Sequence, residues 1–148
     1  MLDCERGGMA HLVKISEAAS MALHTMILLA CRGVTMTSRD LAAILGGSEN
    51  HLSKVLQRLA RAGLLNSVRG PRGGFFLARP ADEVSLLEVY EAIEGPLVPT
   101  GCLLDRPVCG GMCILGDLLS AVDGKAARYL KEKKLSDFAD IFTEGNES

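Results

Sequence analysis

The stretch Ser48-Glu49-Asn50-His51-Leu52-Ser53-Lys54-Val55-Leu56-Gln57-Arg58-Leu59-Ala60-Arg61-Ala62-Gly63-Leu64-Leu65-Asn66-Ser67-Val68-Arg69-Gly70-Pro71-Arg72-Gly73-Gly74-Phe75-Phe76-Leu77 decides the fold. Its first half predicts a helix. Ser48 is a side-chain cap, and Leu52, Val55, Leu56 and Leu59 recur at helical spacing up to about Ala62. Gly63 sits where a helix-terminating glycine belongs. The second half changes period. Leu64 to Val68 reads as a short strand, Arg69 to Gly74 as a tight turn, and Phe75-Phe76-Leu77 as the returning strand. A helix followed at once by a hairpin wing is the expectation.

Upstream, Thr37-Ser38-Arg39-Asp40 is a capping start for a short helix holding Leu41, Ala42, Ile44 and Leu45. Gly46-Gly47 stops it, and Ser48 opens the next helix. Two helices joined by a short glycine-containing turn form a helix-turn-helix. Before them, Ile15 to Cys31 reads as a largely buried helix with Ser16 as cap and Gly33 as stop. Residues 1–12 read as a loose N-terminal extension, in which Met9 is a second possible start.

Downstream, Pro80 closes the winged unit, placed at residues 13–80. Ser85-Leu86-Leu87-Glu88 is another capping box, opening a helix with Leu87, Val89, Tyr90 and Ile93. Gly95 to Gly111 is a loop rich in Gly and Pro. Ile114 to about Lys131 is a long helix with Ile114, Leu115, Leu118, Leu119, Val122, Ala126 and Leu130 on its apolar side. Leu135 to Phe142 reads as one more short helix. The fold expected is mainly α, a winged helix-turn-helix with a two-stranded wing. The second unit, 81–148, adds a helix, a cysteine-bearing loop and a long C-terminal helix.

The net charge of −2 suggests no polyanion partner by itself. It hides an asymmetry. Arg32, Arg39, Lys54, Arg58, Arg61, Arg69, Arg72 and Arg79 face only Asp40 and Glu49 between residues 32 and 79, and the remainder of the chain is acidic. Four Phe, two Tyr and no Trp make a base-stacking surface for single strands a poor fit. No apolar run reaches the ~20 residues that cross a bilayer. The start, Met1-Leu2-Asp3-Cys4-Glu5-Arg6, lacks the order of a secretion signal, so a cytoplasmic protein without a membrane partner is expected. No nucleophile–base constellation and no phosphate-binding motif points to an enzyme.

A helix-turn-helix with a wing lays its second helix in the major groove of duplex DNA. That helix begins with Ser48, Asn50, His51, Ser53 and Lys54, a polar edge suited to base edges, since Asn can pair with adenine through two hydrogen bonds. Lys54 and Arg58, four apart, share a face suited to phosphates. Arg69 and Arg72 flank a wing tip whose glycines allow close approach to the backbone of DNA. Turn, helix, hairpin and charge agree in order and spacing. The plainer reading, a small helical domain with solvated charged faces and no DNA role, explains none of that agreement.

Five cysteines, an odd number, argue against a disulfide framework. Cys102, Cys109 and Cys113 fall within twelve residues on one bendable loop. Grouped thiolates suit a soft metal or an iron–sulfur cluster, and equally a thiol–disulfide switch; spacing alone does not separate zinc from iron–sulfur. Cys31 reads as a small buried residue.

The run Leu59-x-x-Ala62-Gly63-Leu64-Leu65-x-Ser67-Val68-Arg69-Gly70-Pro71-x-Gly73-Gly74-Phe75 resembles the wing signature of the Rrf-type winged-helix transcription regulators. Ser48-x-Asn50-His51-Leu52, Val89 to Glu94 and Leu135-Ser136-Asp137-Phe138 fit as well, so the resemblance runs from about Val13 to Phe142. It implies a homodimeric regulator, in the repressor sense, that binds a DNA operator. The dimer would form through the long C-terminal helix. Cys102, Cys109 and Cys113 would hold an iron–sulfur cluster, 2Fe-2S or 4Fe-4S, through which redox state, nitric oxide or iron–sulfur status controls binding. Arg69 would be a wing contact, with Asn50, His51 and Ser53 on the reading edge. A histidine ligand found in one branch falls on Gly116 and an aspartate ligand of another on Ser20. The fourth ligand is thereby open among Glu17, Ser20 and His24, including those of a partner subunit.

Overall fold

The computed structural model describes residues 15–97 and 114–142. Helix α1 spans Glu17–Arg32, α2 Ser38–Leu45 and α3 Glu49–Arg61. The hairpin follows as β1, Leu65–Val68, and β2, Gly74–Leu77. Then come α4, Leu86–Glu94, and α5, Gly116–Glu132, with a 3-10 turn at Leu135–Phe138. The mainly helical winged fold is as expected.

Local chemistry sets the boundaries. The Ser16 hydroxyl accepts from the Ala19 amide to open α1, and Gly33, with φ 63°, closes it. Thr37 and Asp40 form a complete capping box on α2, as Ser85 and Glu88 do on α4. The strands pair antiparallel with Leu65 opposite Leu77 and Val68 opposite Gly74.

A third strand-like contact was not anticipated. Met36 pairs with Phe75: the Met36 amide donates to the Phe75 carbonyl at 3.0 Å, and the Phe75 amide returns to the Met36 carbonyl at 2.7 Å. The wing is thus sewn to the segment between α1 and α2. Gly74 makes this possible. Its φ is 144°, and a Cβ there would lie 2.5 Å from the Met36 carbonyl oxygen.

One hydrophobic cluster joins both sides of residue 80. Met26, Leu28 and Leu29 of α1, Leu41 of α2 and Leu52, Val55, Leu56 and Leu59 of α3 pack with Val84, Val89 and Ile93. Leu135 is fully buried in the same cluster. Its amide donates to the Val84 carbonyl at 3.0 Å, and Leu86 donates to Lys133, so the chain returns from α5 onto the winged unit. The last helix is shorter than expected, a 3-10 turn rather than a helix reaching Phe142. Helix α5 also differs from expectation. It begins at Gly116, so Ile114 and Leu115 precede it, and none of its residues 117–132 is buried. No helix among the described residues is long and apolar enough to cross a membrane.

Candidate nucleic-acid interface

Helix α3 carries two faces. Leu52, Val55, Leu56 and Leu59 are buried against the core, which fixes its roll. Rotation by the helical repeat then turns Ser48, Asn50, Lys54, Gln57 and Arg61 to solvent. Ser48 also caps the helix, its hydroxyl accepting from the His51 amide at 3.5 Å. Ser53 is half-buried at the margin. The exposed edge is therefore polar, short-chained at its start and basic further along.

The acids of this segment are occupied. Asp40 accepts from the Thr37 amide at the start of α2. Glu49 sits in the first turn of α3 and accepts from the Ser38 hydroxyl at 3.3 Å. Both lie at helix N-termini, where carboxylates are favoured. Arg69, Gly70, Pro71 and Arg72 are exposed at the wing tip. The turn closes with the Gly73 amide donating to the Gly70 carbonyl at 2.9 Å. A Cβ at Gly73 would lie 2.3 Å from the Val68 carbonyl oxygen, so the tip's path needs glycine there.

Two residues depart from the expected surface. Arg58 is exposed beside Lys54, but it is also engaged within the chain. Its guanidinium donates to the Ile93 carbonyl at the end of α4. Helix ends leave carbonyls without intrahelical partners, and a cation there is doubly favoured. His51 is half-buried, and its Nε2 is shut off from solvent with no hydrogen-bond partner among the described residues. In this conformation that nitrogen is not offered to a base edge.

Sequence reading also missed Arg79. Its Nη1 lies 2.6 Å from Glu88 Oε1, and its Nη2 donates to the Glu83 carbonyl at 2.9 Å. Partial burial alone would raise the Glu88 carboxyl. Hydrogen bonds from Arg79 and the Ser85 amide, with the Arg79 charge, outweigh it and hold Glu88 below the usual carboxylate range. The hydrogen bond to Glu88 and its charge together raise Arg79. Helix α4 is thus gripped at both ends by arginines of the winged unit. The ionic signal was visible only as one more basic residue, since its partner is fixed by folding.

Cys102, Cys109 and Cys113 lie outside the described residues, on the segment 98–113 between α4 and α5. Among the described residues no group of three His, Cys, Asp or Glu side chains converges as a metal site. Glu17, Ser20 and His24 line one recess with the Gly46-Gly47 turn. His24 Nδ1 lies 2.7 Å from the Ser20 carbonyl oxygen. A proton on Nδ1 would make that contact a hydrogen bond and leave Nε2 with a lone pair. Cys31 is half-buried, its thiol donating to the Phe138 carbonyl.

The family model described as "Iron-dependent Transcriptional regulator", Rrf2, matches residues 15–141. The chain belongs to the Rrf2 family. A Mycobacterium tuberculosis protein bearing the name HTH-type transcriptional regulator Rv1287 is 34% identical over 131 residues, covering 86% of this chain and 81% of that one. Among solved structures, CymR, "the Global Cysteine Regulator of B. subtilis", superposes with a TM-score of 0.75 at 25% identity, covering 89% of this chain and all of that one. T. potens IscR superposes at 0.70 with 22% identity and 93% of each chain covered, a likeness of fold. This Rrf2 chain is accordingly a DNA-binding transcription regulator and not an enzyme.

Proposed function

We propose that this Rrf2 regulator is a homodimeric, cytoplasmic repressor whose operator binding is set by an iron–sulfur cluster on the loop between α4 and α5. The observation that carries the reading is the position of three cysteines within twelve residues between those helices, in a family described as iron-dependent. Three thiolates are a donor set that suits iron–sulfur ligation. Cys102, Cys109 and Cys113 would hold the cluster, and when bound it supplies a centre that responds to redox change, nitric oxide or iron supply.

The chain's own residues do the rest. Ser48, Asn50, His51, Ser53 and Lys54 form the reading edge, and His51 needs a ring rotation to offer its distal nitrogen. Arg69 and Arg72 bind phosphates beside the wing. Helix α5 presents an apolar side to a second copy: Leu118 is 45% exposed and Tyr129 49%. Together with Ile15, Leu115 and Val122 this side forms an apolar groove that no other described residue covers. Two winged units on one dimer reach two half-sites only at a defined separation, so movement at the α5 seam changes affinity.

Protein isolated without air is expected to contain iron and acid-labile sulfide, both lost in Cys109→Ala. Arg69→Ala is expected to keep the cluster spectrum and to weaken DNA binding, with a salt slope lower by about one. Two mutants that behave alike in both assays would contradict the division of labour. A second reading is favoured by the solved oxidized form of CymR from Staphylococcus aureus, 25% identical to this chain. There the same thiols would act as a disulfide switch or hold zinc. Colourless protein with stoichiometric zinc, or with neither metal, supports that reading.

A further inference from the structure

We propose that Arg58 is a positioning residue, tying the recognition helix α3 to the root of the cysteine loop through the last turn of α4. The proposal rests on the reading that this loop governs operator binding, and adds the contact through which it does so. Arg58 sits on the reading helix, three residues beyond buried Val55 and two beyond buried Leu56. Its guanidinium donates to the Ile93 carbonyl. Ile93 itself is buried with 4% exposure, so the acceptor is anchored in the core and not on a loose end.

The path from Ile93 to the loop is short and held. The Gly95 amide donates to the Glu91 carbonyl at 2.9 Å, and the Leu97 amide to Glu91 Oε1 at 3.1 Å. Cys102 follows Leu97 by five residues, which span at most about 18 Å. At its other end α4 is fixed to the exit of the wing by Arg79 on Glu88. The Arg58 contact therefore gives a displacement of the loop root a direct polar path to α3. Removing that contact leaves α4 held by Arg79 and by apolar packing, Ile93 included, and removes the one polar tie between α3 and the last turn of α4 among the described residues.

A phosphate contact and a positioning contact predict different outcomes. The test compares full-length wild type, Arg58→Ala and Arg58→Lys on a duplex carrying the chain's own promoter region. Each is isolated without air and measured before and after iron is removed by a chelator. In wild type the two affinities differ by about tenfold or more, and in Arg58→Ala the ratio falls to about twofold or less. Iron content and salt slope stay at wild-type values. Arg58→Lys, which still donates to a carbonyl, restores part of the ratio. Equal weakening of both forms in Arg58→Ala, with a salt slope lower by about one, would make Arg58 a phosphate contact and overturn the proposal. Should wild type show no ratio at all, the cluster reading fails and amide exchange still judges Arg58. Operator binding slows exchange at Gly95 and Leu97 in wild type and not in Arg58→Ala; equal slowing in both overturns the coupling.

Discussion

A methyl group added to Gly74 would meet the Met36 carbonyl, in a backbone conformation that L side chains rarely adopt. Gly74→Ala is expected to lower the melting temperature by about 4 °C or more, because both strain and the Met36–Phe75 pairing are at stake. Nuclear magnetic resonance shifts at Met36 and Phe75 would locate the damage. Glu88 gives a pH prediction. Its folded pKa lies below the ordinary 4.5, so its ionised form contributes stability above that value, lost as pH falls through the folded one. Glu88→Gln should therefore lower stability at neutral pH and flatten the acid limb of a urea-unfolding series between about pH 6 and 3. At this scale the caps were legible in sequence, since Ser16, Thr37, Ser48 and Ser85 act within three residues of themselves. The destination of Arg58 was not. Lys54 and Arg58 have the spacing of a phosphate-binding pair, and the Ile93 carbonyl is brought near only by folding.

Among the elements, α3 and α5 show the same apolar periodicity with opposite outcomes. The stripe on α3 is buried within one chain, whereas α5 buries nothing fully. Periodicity announces that a helix has a partner and does not say which chain supplies it. Leu118→Glu is expected to shift sedimentation from dimer to monomer and to weaken operator binding, while the packing within each chain, where Leu118 is exposed, is kept. A dimer that survives Leu118→Glu would place the interface elsewhere. The wing was legible because its turn chemistry is local. Its third contact, through Met36, was not, since Val34-Thr35-Met36 is too short to read as a strand.

Across the whole molecule, basic residues gather in the winged unit, and acidic ones dominate outside it. On the proposed reading, the charge would supply sequence-independent attraction to DNA, the polar edge of α3 would supply selection, and α4 would join both to the loop bearing Cys102, Cys109 and Cys113. The direct measurement is operator affinity of one wild-type sample isolated without air, before and after treatment with an iron chelator. Iron and sulfide present at the start, and an affinity that changes by about tenfold on their loss, is the predicted result. Protein free of iron from the outset, or an affinity that ignores its removal, would contradict the account.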